Sequence, residues 1–97
     1  MTSQTQNPVV QHDPVAQRFI LEREDHTAVL EYTLQDEIIT FTHTGVPAEL
    51  EGRGIGSQLA HAGLEYARQN NLKVVSHCWF VSGYIERHTE YKELLVA

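Results

Sequence analysis

The sequence predicts an α+β domain: an antiparallel three-stranded meander, then a β-α-β crossover that makes the sheet mixed, then short C-terminal helices. Three observations predict it. Short β-type runs between residues 18 and 42 are separated by polar turns. A long stretch of helical periodicity follows, opening on a glycine-rich segment. A short, nearly continuous apolar run comes next, as a doubly covered central strand would read.

Residues 1–16 are rich in Gln and Thr and carry Pro8 and Pro14, so they read as a flexible tail before a single domain over 17–97. Arg18 to Arg23 reads as the first strand, and Glu24-Asp25-His26 as a turn. Thr27 to Leu34 alternates, with Ala28, Leu30, Tyr32 and Leu34 on one face. Gln35-Asp36 makes a tight turn, and Glu37 to Thr42 is a β-branched third strand. His43 to Glu51 is a loop containing Pro47. The helix then runs from the glycine segment to about Asn70, with Ile55, Leu59, Ala62 and Tyr66 on one stripe. Leu72 to Ser76 is the last strand, parallel to the third through a right-handed crossover. Ser82 to Leu95 forms one or two short helices, with Tyr84, His88, Tyr91 and Leu95 sharing a face.

A chain of 97 residues builds one core. Its net charge of −6 argues against broad nucleic-acid binding, which needs a basic face. The single cysteine, Cys78, leaves no internal disulfide and fits a cytoplasmic setting. No apolar run approaches the roughly 20 residues of a membrane span, and Met1 to Asn7 lacks the basic and apolar regions of a signal peptide.

The segment Glu51-Gly52-Arg53-Gly54-Ile55-Gly56-Ser57 leads from a strand and loop into a helix. Unpaired amides and a partial positive charge at a helix start suit a phosphate or pyrophosphate. The third strand ends at Thr42-His43-Thr44 and the last at Ser76-His77-Cys78. Parallel strands put both ends at the edge where the glycine loop lies, which is where α/β units bind ligands. An anion cradle, a thiol and up to two imidazoles are therefore expected at one cleft. His77 should point to the face opposite Cys78 if the strand continues.

These residues resemble the GNAT acetyltransferases, whose acetyl-CoA loop follows the pattern Gln/Arg-x-x-Gly-x-Gly/Ala. The closer resemblance is to the small, stand-alone GNAT-like N-acetyltransferase domain proteins. It rests on His43-Thr44-Gly45-Val46-Pro47, the glycine loop, Cys78 after the last strand, and Tyr84-Ile85-Glu86-Arg87-His88 with Tyr91, and covers roughly Phe19 to Leu95. Glu51 departs from the pattern where Gln or Arg stands in the family.

The resemblance implies an α/β/α sandwich that binds acetyl-CoA as co-substrate, with no metal, and passes the acetyl group to a primary amine. Pantetheine would pair with backbone near Thr44 to Val46. The pyrophosphate would rest on Gly52, Arg53, Gly54, Ile55, Gly56 and Ser57, and Arg87 would reach the adenosine phosphates. Cys78 would act as a nucleophile or line the acetyl pocket, and His43 would accept the amine proton. Tyr84 reads either as an acid for the departing thiolate or as a core tyrosine. His88 reads as packing or as a site residue, and Trp79-Phe80 as core or pocket wall. A compact chain has few loops to enclose an acceptor, which suits a large one such as a protein lysine. Two other readings stand beside this one. One is a CoA-binding module that acts through a protein partner. The other is a nucleotide-binding domain, weakened because the loop lacks the Lys-Ser/Thr of a P-loop and the acidic ribose partner of a dinucleotide fold.

Overall fold

The computed structural model describes residues 9–96. It contains a five-stranded sheet in the order β1-β2-β3-β4-β5, over Gln11–Asp13, Arg18–Arg23, His26–Gln35, Ile38–Gly45 and Lys73–Ser76. Neighbours are antiparallel except β4 and β5, which run parallel as the crossover requires. The β2–β3 and β3–β4 turns each place two residues at positive φ, Glu24 and Asp25 in one, Asp36 and Glu37 in the other. That is the geometry whose twist matches paired strands.

β1 corrects the expectation of a tail over 1–16. Residues 1–8 lie outside the described residues, but Gln11–Asp13 pairs with Arg18–Ile20 as an edge strand. Gln-His-Asp carries no apolar pattern, and the strand is held by its backbone pairing with β2 and by the packing of His12. His12 stacks on Phe19 at 4.2 Å between ring centroids, meets Tyr66 edge-on at 4.5 Å, and places Nε2 2.6 Å from the Tyr32 hydroxyl. Burial lowers the His12 pKa, and nearby Asp13 partly offsets this.

The helix α1 spans Ile55–Gln69 and ends as its periodicity predicts, at Asn70. Its buried stripe is Ile55, Leu59, Ala60, Gly63, Leu64 and Ala67, with Ala62 and Tyr66 packed at the margin. The stripe lies to one side of the expected one: Ala60, Leu64 and Ala67 are buried, whereas Ala62 and Tyr66 are only partly so. A second helix, α2, spans Trp79–Arg87, beginning three residues before the expected Ser82. Only His77 and Cys78 separate it from the last strand. A 3-10 segment, Thr89–Leu94, follows, and the Val96 N–H donates to the Val74 carbonyl, covering part of the outer edge of β5.

Phe19, Leu21, Ala28, Leu30, Tyr32, Ile39, Phe41 and Val74, the buried positions of the sheet, alternate onto a single face. They share one core with α1, α2 and Tyr91. Ile20, Val29, Glu31 and Thr40, of opposite parity, stay partly open, and Ile38 is exposed. The α+β class and mixed sheet are as expected. The last strand corrects one expectation: β5 is not central and doubly covered but the edge of the sheet, with Val74 buried and Lys73 exposed.

Candidate active site

The site begins where two strands part. β4 and β5 pair from Ile38 with Lys73 to Phe41 with Ser76, and the last rung is His77 N–H to the Phe41 carbonyl at 2.9 Å. β4 then continues to Gly45 along β3 alone, while the chain after β5 turns into α2. A bulge decides what faces the opening. Tyr32 pairs with Phe41 but Glu31 pairs with His43, so Thr42 is the extra residue. The bulge inverts the alternation. Thr44 comes opposite Leu30 and therefore shares the buried face with Phe41, three residues earlier. It meets Cys78 there, with Oγ1 and Sγ 3.1 Å apart.

Beside this contact lies a cavity of about 390 Å³. Thr44, Val46, Leu50 and Glu51 line it from β4 and the following loop, and Trp79 and Phe80 from α2. Gly52, Gly54, Ile55, Gly56 and Ser57 complete the wall. Gly54 caps α1 at φ +74°, and no side chain bonds the helix start. Gln58 N–H is bonded to the Gly54 carbonyl at 3.1 Å, which leaves the first-turn amides before it without partners inside the helix. The third glycine has a different reason. A Cβ on Gly56 would lie 2.7 Å from Phe80 Cζ, so its bareness lets the Phe80 ring pack on the helix start.

The cavity thus unites Thr44, Val46, Gly52, Gly54, Ile55, Gly56 and Ser57 from the expected set. Cys78 is buried and borders it through Thr44. Three expected residues stand elsewhere. Arg53 extends away to Glu24 in the β2–β3 turn, Nη1 to Oε2 at 2.7 Å, and this guanidinium lowers the Glu24 carboxyl pKa. Arg87 is exposed in the last turn of α2 and does not line the cavity. His43 pairs across the sheet with Glu31, so the bulge that brings Thr44 in turns His43 out to the open face, where it is exposed. The expected meeting of imidazole and thiol therefore does not occur. His77 is exposed as well.

Tyr84 is a core tyrosine. It is buried, stacked on His88 at 3.9 Å, and its hydroxyl faces His61 Nδ1 at 3.5 Å. A neighbouring cluster gave little sign in the sequence beyond the i, i+4 spacing of His61 and Glu65. The Tyr91 hydroxyl donates to Glu65 Oε2 at 2.6 Å and lies 3.2 Å from His61 Nδ1. Arg68 also bonds Glu65. The Arg68 guanidinium, aided by the Tyr91 hydroxyl, lowers the Glu65 carboxyl pKa from 4.5 to about 2. Burial and Glu65 raise that of Tyr91. This cluster fastens the C-terminal segment to α1. Among the described residues, no group of three or more His, Cys, Asp and Glu could hold a metal ion, and no helix is long and apolar enough to cross a membrane.

Amides at a helix start, an apolar wall and unpaired strand backbone suit an elongated ligand with an anionic group and an extended arm. Comparison with known proteins identifies the family. A family described as GCN5-related N-acetyl-transferase matches residues 18–94. Protein NATD1 from Homo sapiens and from Gallus gallus is 29% identical over 82 residues, 81% of this chain and 73% and 74% of those proteins. The NMR solution structure of a GCN5-like protein from Staphylococcus aureus superposes with a TM-score of 0.71 at 29% identity, over 92% of this chain and 88% of that one.

Proposed function

The chain belongs to the GCN5-related N-acetyl-transferase family, and we propose that it binds acetyl-CoA at the parting of β4 and β5 and transfers the acetyl group to a primary amine. The observation that carries this reading is the junction of an uncapped helix start with the strand gap in one cavity. Amides of Ile55, Gly56 and Ser57 would receive the pyrophosphate, and free backbone of β4 near Thr44 to Val46 the pantetheine. Arg53 would join the phosphates on leaving Glu24.

The donor supplies an acyl group activated as a thioester; the neutral amine would add at the carbonyl carbon, the C–S bond would break, and the proton lost by the nitrogen would end on the departing thiolate. This chain's part is chiefly to position the reactants and to keep water away. Cys78 and Thr44 stand where the arm would end. We assign Cys78 to the wall of the acetyl pocket, where it affects the rate without being indispensable. A protein lysine is the acceptor class that suits so open a site.

The test is calorimetric titration with acetyl-CoA, CoA, ATP and NAD, followed by mass analysis of amine and peptide acceptors. Binding of CoA species alone, with gain of one acetyl group on an amine, is the expected result. ATP or NAD binding in preference to CoA refutes it. The outward position of His43 favours a second reading, a CoA-binding module acting through a protein partner. Binding without transfer to any amine would select it.

A further inference from the structure

Trp79 is 84% exposed on the rim of the cavity. Tryptophan carries a large apolar surface and is highly buried on average, so an indole left this open calls for an explanation. Among the described residues, the fold provides none. Its ring touches Phe80 edge-on, at 5.9 Å and 76°, while α2 is anchored by buried Val81, Tyr84 and Ile85. The indole is, however, well placed for a ligand. Trp79 directly follows Cys78, whose sulfur meets Thr44 at the end of the strand gap. Val46, Leu50, Ile55 and Phe80 give the same cavity further apolar walls. The helix-start amides would serve the anionic part of a ligand, and these walls its uncharged arm.

Resting on the reading above, we propose that Trp79 is a binding residue for the pantetheine arm of the acyl thioester, its indole lying along the arm and shielding the thioester from water. The arm covers a ring that is otherwise wet, so affinity rises with the apolar area hidden. The surface also becomes continuous only when the ligand is present, which makes Trp79 a gauge of occupancy.

Trp79 is the chain's sole tryptophan, so its fluorescence reports this position alone. Acrylamide quenching should fall severalfold when acetyl-CoA or pantetheine is added. Adenosine bisphosphate, the nucleotide half of CoA, should leave quenching unchanged. By calorimetry, Trp79→Ala should weaken acetyl-CoA about tenfold, as loss of one aromatic face implies, and leave adenosine bisphosphate affinity alone. Trp79→Phe should fall between. Urea midpoints equal to the parent's would show that both variants fold. Should acetyl-CoA bind while Trp79 stays fully quenchable and Trp79→Ala binds as tightly, the Trp79 assignment is wrong and the cofactor reading stands. Protection by adenosine bisphosphate, or only by an added amine, assigns the indole to another group and overturns the proposal. Absence of any acetyl-CoA binding overturns both.

Discussion

Replacing Gly56 with alanine tests the packing that shapes the cavity. The new methyl carbon would lie 2.7 Å from Cζ, 3.0 Å from Cε2 and 3.2 Å from Cε1 of Phe80. Carbon atoms rest about 3.5–4.0 Å apart, so the ring must withdraw by roughly 1 Å. Overpacking of this kind costs about 1–3 kcal/mol, and exchanging glycine for alanine in a helix returns about 0.5–1 kcal/mol. The net expectation is a loss of about 1 kcal/mol, or a Tm lower by about 4–8 °C for a domain of this size. Phe80 lines the cavity, so acetyl-CoA affinity should fall in the same variant. Gly54→Ala is the control. It meets nothing within 4 Å but must hold φ near +74°, a conformational cost of about 1–2 kcal/mol that leaves Phe80 in place. Thermal unfolding and calorimetric titration read the two effects. If Gly56→Ala gains stability as a plain helical substitution would, and binds acetyl-CoA as the parent does, Phe80 does not rest on the helix start.

Other predictions bear on the clusters and the candidate catalytic residues. The Glu65 carboxyl is lowered from 4.5 to about 2, so its contribution is fully present above 4.5 and lost as pH falls toward 2. Glu65→Gln should therefore flatten the pH dependence of the urea midpoint in that window; an unchanged slope refutes it. Cys78→Ala should slow acetyl transfer without abolishing it. A stable acetyl adduct on the parent protein, absent from Cys78→Ala by intact mass, would instead establish a covalent route. His43→Ala should leave kcat/KM for the amine nearly unchanged; a loss of about 100-fold, typical of a missing general base, would return His43 to the mechanism.

The fold was legible wherever side-chain periodicity speaks. Ala28, Leu30 and Tyr32 alternate onto the buried face, the helix stands where its periodicity places it, and the apolar Leu72 to Ser76 run marks the last strand, although that strand lies at the sheet's edge with Val74 its one buried residue rather than at the centre. It was illegible where no side-chain pattern marks the element. β1 has no apolar pattern, only its backbone pairing with β2 and His12 placed between Phe19, Tyr66 and Tyr32. The place of the last strand was hidden too, since a nearly continuous apolar run reads as a central strand although β5 forms the edge of the sheet.

The candidate site divides along the same line. Local sequence determined the glycine-rich helix start, because main-chain geometry there depends on which residues lack a Cβ, and it determined that β4 and β5 end at the same edge. Tertiary structure decided which side chains reach that edge. One bulged residue, Thr42, shifts the pleat so that Thr44 meets Cys78 and His43 faces away. Tertiary contact also turned Arg53 to Glu24 and gave the bareness of Gly56 to Phe80. A pleat repeats every two residues, so one inserted residue inverts every position after it. That inversion is a property of the pairing with β3, and no run of β4 read alone contains it.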